Sequence, residues 1–541
     1  MSDGNWHLFI DNAHVARATG LDRVIHHPRP RGVVLAPDRP WETVGVSPQY
    51  VGRRDDGTFE AFYTAMWWDT EGGRRQAGSF GQDRAHHMFQ GMAYAESSDG
   101  LSWHKPELGL VAAPTGVDRG RAAPFPAPTG SGKANNLGVP FAIVADLQRF
   151  GDVTDPARRL ALRLVADPAA EQKVGASWEE SPRGYFAAGV PDFLGDPAWR
   201  EGLQDSGGSF DPRRHLLHFW DRIHQEWVAM EQGVVPHWLP TREVGRFASR
   251  DLVRWTSEAV LYPDPEDAHQ PQRYDEPMSL TPFCGEGLVF GLLSWFHSDR
   301  DHPDAGPRLE PTPQHPARWP WCRKGTNEMR LTVSRDGGRT WDRTSSRAAW
   351  VPHGTEHDSY DRLVIGGVPP VRVGDEDWFY LSVIDGDHLG IRNDAGQTPY
   401  HADRLPRHQI ALYTQKHNRY VSLRASHRRE VLVTHPLVFD GGVLELNADA
   451  ARGRVRVGVA AAGPVPTFGG STPAAAPHLL PDHLLPGFGF DDCQAVRENS
   501  AARPVSWGEP GAATALRGRQ VVLLFEMEDA DLYGYRLGAG G

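Results

Sequence analysis

The amino-acid sequence predicts an all-β protein, in which a five-bladed β-propeller is followed by a β-sandwich. Three observations lead to this prediction. A strand–turn–strand signature recurs through most of the chain, short alternating strands fill the residues between its copies, and the signature stops near residue 432. Repetition of one structural unit along a chain is typical of propellers and solenoids. The repeats of a solenoid are shorter and more regular, so a propeller is favoured.

The recurring signature is a β-hairpin with an acidic turn. Its copies occupy residues 94–103 (YAESSDGLSW), 247–255 (FASRDLVRW) and 331–341 (LTVSRDGGRTW). A degenerate copy occupies residues 412–420 (LYTQKHNRY). Aspartate followed by glycine supplies the positive backbone angles that tight hairpin turns require. Because Asp99, Asp251 and Asp336 recur in register, we expect them to fix the turns and to take no part in chemistry.

The strands around these hairpins form five units of about four strands each, which is the size of a propeller blade. The units span residues 41–115, 135–200, 205–262, 275–348 and 358–430. We expect residues 1–40, or the start of the C-terminal part, to supply a strand that closes the ring. The propeller is therefore placed at residues 1–431.

The C-terminal part has a different pattern. Alternating strands are predicted at residues 443–446, 455–460 and 521–525, with glycine and proline turns between them. No copy of the acidic hairpin occurs here. The pattern predicts a separate β-sandwich over residues 432–541.

Composition narrows the classes of function. The 541-residue chain has a net charge of −12 and no basic stripe, which argues against a nucleic-acid partner. The N-terminal residues have no signal-peptide pattern and no stretch is long enough to span a membrane, so we expect a cytoplasmic protein with no membrane contact. The three cysteines, in no CxxC pattern, predict neither a disulfide framework nor a zinc site. The 18 tryptophans suit carbohydrate binding, although packing accounts for most of them.

Acidic residues recur where the innermost strands begin. Asp205, the pair Asp275 and Glu276, and Asp358 precede three such strands, and Glu328 begins the strand that leads into the hairpin at residue 331. Capping of turns or pairing with arginine would explain any one of them. As a set they suit glycosidic cleavage, which needs one protonated acid and one ionised carboxylate. We expect Glu328 or Glu276 as the acid, Asp205 or Asp275 as base or nucleophile, and Asp358 to orient the substrate or to tune a pKa.

Aromatic, basic and amide residues near the same strand ends are candidates for substrate binding. They are Trp67, Trp68, Arg84, His87, Lys133, Asn135, His297, His357, His388 and Arg407. The tryptophans can stack on a sugar ring or simply pack. The histidines can bond sugar hydroxyls or hold a divalent metal in the channel, but no HxH or HExxH spacing supports a metal site. We predict no metal and no cofactor.

Several runs of sequence resemble a known group. The runs YAESSDGLSWHKPELGLV, GLVFGLLSWFH, EMRLTVSRDGGRTW and VPPVRVGDEDWFYLSVIDGDH resemble bacterial proteins similar to glycoside hydrolase family 32 and related, family 43-like, five-bladed propellers. The run ALRGRQVVLLFEMEDADLYGYRL resembles the β-sandwich that accompanies that propeller. The resemblance covers nearly the whole chain and implies the architecture. The Asn-Asp-Pro, Arg-Asp-Pro and Glu-Cys signatures of fructosidases are absent, so it implies no catalytic positions.

The sequence as a whole predicts a glycoside hydrolase that acts on a small oligosaccharide or glycoside through paired carboxylates. Two alternatives stay open at this point. One is a non-catalytic carbohydrate-binding propeller, and the other is a metal-dependent lyase or isomerase that acts on a sugar. The expected partner is a small-molecule carbohydrate, and a homo-oligomer is compatible with the sequence.

Overall fold

The structure is a computed structural model that describes sixteen stretches of the chain. They are residues 4–42, 45–54, 56–68, 88–107, 137–139, 219–232, 243–250, 256–264, 267, 273–299, 325–345, 347–355, 359–386, 407–462, 483–509 and 511–538. In these stretches the regular structure is all-β, with two short 3₁₀ helices, Pro40–Glu42 and Ala512–Leu516. None of the described residues forms a helix with the length and apolarity needed to cross a bilayer.

The strands before residue 140 include four that precede the first predicted unit. They are β1 (His7–Leu8), β2 (Val15–Thr19), β3 (Asp22–Ile25), β4 (Arg29–Leu35), β5 (Gly45–Arg53), β6 (Phe59–Trp68), β7 (Met88–Ser97) and β8 (Leu137–Val139). Strand β8 pairs with β7. The rest of the predicted second unit, residues 140–200, lies outside the described residues.

The middle of the chain holds three further antiparallel groups. Their strands are β9 (Phe219–Asp221), β10 (Glu226–Gln232), β11 (Val244–Ser249), β12 (Thr256–Leu261), β13 (Arg273–Gly285), β14 (Leu288–Asp299), β15 (Gly325–Ser334), β16 (Leu363–Gly367), β17 (Val371–Val373), β18 (Glu376–Ile384) and β19 (His408–Lys416). We call β5–β7 the first group, β9–β12 the second, β13–β15 the third and β16–β19 the fourth.

Three of these groups belong to one continuous twelve-stranded sheet. The third strand of one group meets the first strand of the next in a short parallel junction. Asn327 of β15 lies opposite Leu363 of β16, and His408 of β19 lies opposite Gly45 of β5. Since β5 is near the start of the chain and β19 lies far along it, the second junction joins the two ends of the repeat region.

Gly45 is required at that junction. Its backbone angle φ is 142°, in the region that favours glycine. A Cβ atom at this position would clash with the backbone nitrogen and oxygen of His408. The close approach of β5 to β19 therefore depends on the absence of a side chain.

The N-terminal stretch adds an edge strand to the fourth group. Strand β4 pairs with β19, with Leu35 opposite Ile410 and Arg29 opposite Thr414. Of the two sources that the sequence left open for an additional strand, the structure uses the N-terminal one.

The acidic hairpins are held by their aspartates, as predicted. Asp99 Oδ1 accepts hydrogen bonds of 2.8 Å from the backbone N–H groups of Leu101 and Ser102. Asp336 Oδ1 accepts the backbone N–H of Thr340 at 2.8 Å, and the indole of Trp341 donates to the carbonyl of Gly338. These bonds satisfy the turn and leave both carboxylates committed to it. Asp251 lies outside the described residues.

Two further sheets contain the C-terminal strands. These strands are β20 (Val421–Ala425), β21 (Glu430–Thr434), β22 (Leu437–Val438), β23 (Val443–Asp449), β24 (Arg454–Ala461), β25 (Asn499–Pro504), β26 (Gln520–Glu528) and β27 (Ala530–Gly538). One sheet has the order β25-β23-β27-β20-β3 with β1 on β27, and the other has the order β2-β21-β26-β22 with β24 on β26. Both therefore take strands from the first 25 residues, and β21 crosses the predicted boundary at residue 431.

A short N-terminal segment, residues 6–10, lies between two hydrophobic cores. Alternate side chains of an extended chain point to opposite sides. Leu8 and Ile10 join the core of the third and fourth groups, whereas Phe9 joins the core of the C-terminal sheets. All three side chains are buried. The apolar run that the sequence showed here is thus shared between both cores.

Candidate functional site

Three of the predicted site residues meet at one end of the third group, where β13 begins, β14 ends and β15 begins. Asp275 lies directly opposite His297, and His297 lies opposite Thr326. Glu328 is two residues further along β15, so it is the diagonal neighbour of His297 on the same face. The register of three strands therefore brings Asp275, His297 and Glu328 together.

These three residues form a row with Arg330, which we call the His297 cluster. His297 Nδ1 lies 3.0 Å from Asp275 Oδ1, and its Nε2 lies 3.2 Å from Glu328 Oε2. The other oxygen of Glu328 accepts a 2.6 Å hydrogen bond from Arg330 Nε. The side chains of Asp275, His297 and Glu328 are 14%, 17% and 13% exposed, so the row is mostly shielded from water but open at its surface.

The charges of the cluster stabilise one another. Burial opposes a charge on His297, but the carboxylates of Asp275 and Glu328 outweigh it and raise the pKa to about 9. Burial also opposes ionisation of Glu328, but His297 and Arg330 outweigh it and lower the pKa of that carboxyl below its ordinary value. At neutral pH the imidazole is therefore protonated and Glu328 is a carboxylate.

Asp275 has hydrogen-bonding capacity to spare. Its Oδ1 is buried and, among the described residues, receives no aligned hydrogen bond, although His297 Nδ1 is close in distance. A buried polar atom without a hydrogen bond is costly and calls for an explanation. A ligand hydroxyl that donates a hydrogen bond to Asp275 Oδ1 would explain why this oxygen lacks an aligned donor within the protein.

A buried network behind the cluster holds Arg330 in place. Its guanidinium carbon lies 4.6 Å from the ring centroid of Trp295, and the guanidinium of Arg343 lies 4.4 Å from the same centroid. Arg343 donates in turn to Asp267 at 2.7 Å, and Arg347 donates to the same carboxylate at 2.8 Å. This packing fixes the arginine that orients Glu328. Trp295, Arg330 and Arg343 were not predicted from the sequence.

A second polar group lies at the corresponding end of the fourth group. Asp385 accepts the backbone N–H of Arg407 at 2.6 Å and its Nε at 3.2 Å. Arg407, predicted to bind substrate, is thus tied to a buried carboxylate while its side chain stays 44% exposed. The next residue, His408, is half-buried, and the loss of solvation there lowers its pKa to about 4. Asp385 was not predicted from the sequence.

Glu276 does not join the cluster. It follows Asp275 on β13, so its side chain points to the opposite face, and it is buried there. Trp67 and Trp68 end strand β6, but their side chains lie outside the described part of the chain. The other predicted site residues lie outside the described residues altogether: Asp205, Asp358, Arg84, His87, Lys133, Asn135, His357 and His388.

In the described stretches, one group of acidic and histidine side chains has the spacing of a metal site. It comprises Asp221, His224 and Glu226, at the hairpin between β9 and β10. Arg246, which is buried, donates to Asp221 at 3.0 Å and to Glu226 at 2.8 Å. Since this guanidinium already neutralises the two carboxylates, a cation would have to displace it. The group is a buried ion-pair network.

No protein-family model matches the chain, and no curated protein matches it. Solved structures do show similarity, and several of them are described as glycoside hydrolases. A proposed glycosidase from Bacteroides thetaiotaomicron shares 10% identity over 71% of this chain and 96% of its own, with a TM-score of 0.32. A family 32 β-fructofuranosidase from Bombyx mori, in complex with sucrose, shares 9% identity over 95% of both chains, with a TM-score of 0.28.

An N-acetylgalactosamine deacetylase from F. plautii, in complex with blood group B trisaccharide, is also similar. It shares 12% identity over 77% of this chain and 95% of its own, with a TM-score of 0.25. All three TM-scores are below 0.5. These similarities therefore carry no argument about the fold or the activity of this chain.

Proposed function

We propose that the chain is a glycoside hydrolase in which a five-bladed propeller within residues 1–431 is joined to a β-sandwich that residues 432–541 form together with β1–β3, β20 and β21. The parallel junctions of β15 with β16 and of β19 with β5 support the ring, because they repeat one group-to-group contact and join its two ends. The His297 cluster carries the functional part of the proposal. The substrate class is a small oligosaccharide or glycoside.

The cluster suits a sugar substrate. Asp275 offers a buried oxygen that lacks an aligned donor, and a sugar hydroxyl is such a donor. His297 and Arg330 balance the charges of Asp275 and Glu328, so a neutral ligand binds without leaving an uncompensated charge.

The cluster acts from one side of the sugar. In inverting glycosidases the two carboxyls are about 6.5–9.5 Å apart with water between them, and in retaining enzymes about 5–5.5 Å apart. Here the imidazole of His297 fills the space between Asp275 and Glu328, so neither water nor a sugar fits between them. We therefore assign the second catalytic carboxylate to another inner strand, where Asp205 and Asp358 are the candidates.

The roles within the cluster follow from its charges. Glu328 is held ionised by His297 and Arg330, so we assign it to stabilising positive charge and not to proton donation. Asp275 binds and orients a hydroxyl. Glu276 faces away from the row and takes no part on this side of the sugar.

The proposal is tested with a panel of aryl furanosides and pyranosides, assayed with wild-type protein, Asp275→Asn and Glu328→Gln, each with and without EDTA. Glu445→Gln is the control, because it breaks a carboxylate–arginine pair with Arg536 in the C-terminal sheets. Turnover that the first two variants lose, and that EDTA and Glu445→Gln leave intact, is the expected result. Sugar binding without turnover would instead show a binding protein, and loss to EDTA alone would show a metal-dependent enzyme.

A further inference from the structure

The chain that leads from the second group to the third carries a buried carboxylate, Asp267. Strand β12 ends at Leu261, which packs in one core with Trp295 of the third group. The carbonyl of Asp264 then accepts the backbone N–H of Asp267 at 3.0 Å, and the carboxylate of Asp267 accepts the backbone N–H of Asp264 at 2.9 Å. The position of this carboxylate is therefore fixed by its own turn.

Asp267 is an acceptor shared by three arginines. Arg343 donates to both of its oxygens, at 2.5 Å through Nη1 and at 2.7 Å through Nη2. Arg347 Nη1 donates to Oδ1 at 2.8 Å, and Arg330 Nη1 lies 3.9 Å from the same oxygen. Guanidinium groups repel one another, so the shared carboxylate stabilises this close arrangement in a place that is mostly shielded from water.

The link from Asp267 to Glu328 passes over Trp295. The guanidinium groups of Arg343 and Arg330 lie over the same ring of Trp295, at 4.4 Å and 4.6 Å from its centroid. Trp295 is fully buried and lies directly opposite Glu328 in the pairing of β14 with β15. Arg330 Nε then donates to Glu328 Oε1 at 2.6 Å. We propose that Asp267 is a positioning residue that holds the carboxylate of Glu328 in place against the sugar, an inference that rests on the proposed function.

The physical basis is the balance of charge over Trp295. Without the charge of Asp267, Arg343 and Arg330 repel each other with less compensation. Arg330 then shifts, and Glu328 shifts with it and away from His297 Nε2, which lies 3.2 Å from its other oxygen. A group that stabilises charge in a transition state must be held in place beforehand, and a displacement of about 1 Å can cost about 10²-fold in rate.

The test removes one charge and then both. Asp267→Asn should lower kcat of glycoside hydrolysis by about 10–100-fold and leave KM nearly unchanged, because Glu328 is assigned to stabilising charge in the transition state. The double variant Asp267→Asn, Arg343→Gln also removes the charge that Asp267 balances, so it should regain most of the lost kcat. A substitution that merely loosened the fold would not be repaired by the loss of a second buried contact.

Asp264→Asn is the matched control. Asp264 lies in the same turn and accepts two hydrogen bonds from Arg347, at 2.9 Å and 2.6 Å, whereas its contact with Arg343 is longer, at 3.6 Å. Of the arginines that the structure describes, those over the Trp295 ring are Arg330 and Arg343. Asp264→Asn should therefore weaken the turn and keep the wild-type kcat.

NMR titration of the His297 ring provides a measurement that needs no turnover. Burial opposes the charge of His297, but its hydrogen bonds to Asp275 and Glu328 outweigh burial and raise the pKa to about 9. Displacement of Glu328 should thus lower this pKa in Asp267→Asn, whereas Asp264→Asn should leave it unchanged. If Asp267→Asn does not fold, Arg343→Lys replaces it, because lysine keeps the charge but cannot make the paired bonds. It should change kcat and the titration in the same direction, by less.

The outcomes separate the positioning role from the proposed function. An unchanged kcat together with an unchanged His297 titration in Asp267→Asn would overturn the positioning role alone, and so would a double variant as slow as the single one. A wild type that hydrolyses no glycoside would overturn the proposed function. The His297 titration would still decide whether Asp267 determines the position of Glu328.

Discussion

Replacement of two adjacent residues, Phe9 and Ile10, should destabilise two different cores. Phe9 is fully buried, and its ring lies 6.2 Å from that of Phe525 and 5.9 Å from that of Tyr535 in the C-terminal sheets. Ile10 points the other way and belongs to the core of the third and fourth groups. The segment therefore ties the two cores together through consecutive side chains.

The expected loss of unfolding free energy follows from the burial of the Phe9 and Ile10 side chains. Truncation of a buried phenylalanine to alanine typically costs about 3–5 kcal/mol, and of a buried isoleucine about 2–5 kcal/mol. The whole free energy of unfolding of a domain is about 5–15 kcal/mol. Each of Phe9→Ala and Ile10→Ala should thus remove a large fraction of it. Arg17→Ala, at an exposed position on β2, should change it by less than about 0.5 kcal/mol.

Calorimetry and hydrogen exchange distinguish the outcomes. If the segment couples the two cores, each variant should lower the Tm of the same transition. Hydrogen exchange should then show the first loss of protection in β26 and β27 for Phe9→Ala, and in β15 and β18 for Ile10→Ala. A Phe9→Ala protein that melts like wild type would refute the assignment of Phe9 to the C-terminal core. Two separate transitions, each moved by one variant, would refute the coupling.

Three further results are expected. Gly45→Ala should lower the free energy of unfolding, measured by chemical denaturation, by at least about 1–3 kcal/mol. The reason is that the junction of β5 with β19 has no room for a Cβ atom and requires a φ that favours glycine. An unchanged denaturation midpoint would contradict that junction. Asp336→Ala should lower the free energy of unfolding by about 0.5–2 kcal/mol, the amount lost when a helix N-cap residue is replaced, because Asp336 likewise accepts backbone N–H groups of its turn. Glycoside turnover should stay unchanged. Burial lowers the pKa of His417, but the carboxylates of Asp377 and Glu286 outweigh burial, so the pKa is raised. The protonated imidazole therefore stabilises the fold fully below about pH 6.5, and this stabilisation is lost as the pH rises through the raised pKa. Melting curves should show a smaller alkaline loss in His417→Gln than in wild type, and His297, whose pKa is raised to about 9, should contribute a loss that remains in both proteins.

The parts of the fold that the sequence predicted correctly depend on local chemistry. The turns at Asp99 and Asp336 are each determined by a few consecutive residues, so the repeating pattern identified them. Pairing between distant strands is determined by the whole fold. The positions of β1–β3 in the C-terminal sheets, and of β8 beside β7, therefore had no signature in the sequence.

The same distinction applies to the candidate site. The expectation that acidic residues meet where strands begin led to Asp275 and Glu328, and His297 was identified as a neighbouring polar residue. The bridge between them depends on cross-strand register, which also turns Glu276 away from the row. Arg330 does have a local signal in the sequence. It lies two positions after Glu328 on a predicted strand, so the two side chains share one face.

Strands β15 and β19 each have one end at a turn and the other end at a group of polar side chains. Strand β15 carries Glu328 of the His297 cluster in its first half and ends at Ser334, whose hydroxyl donates to Asp336 in the acidic turn. Ser334 is six positions after Glu328, which is about 20 Å along a strand. Strand β19 repeats the arrangement, with His408 at its polar start and the turn at residue 417 beyond its end. The turn residues recur in register because every group must form the same hairpin, whereas Glu328 and His408 occupy similar places with different chemistry. Because the two ends are far apart, substitutions that tune the site need not disturb the turns, and the third group can carry the His297 cluster where the fourth carries the Asp385–Arg407 pair.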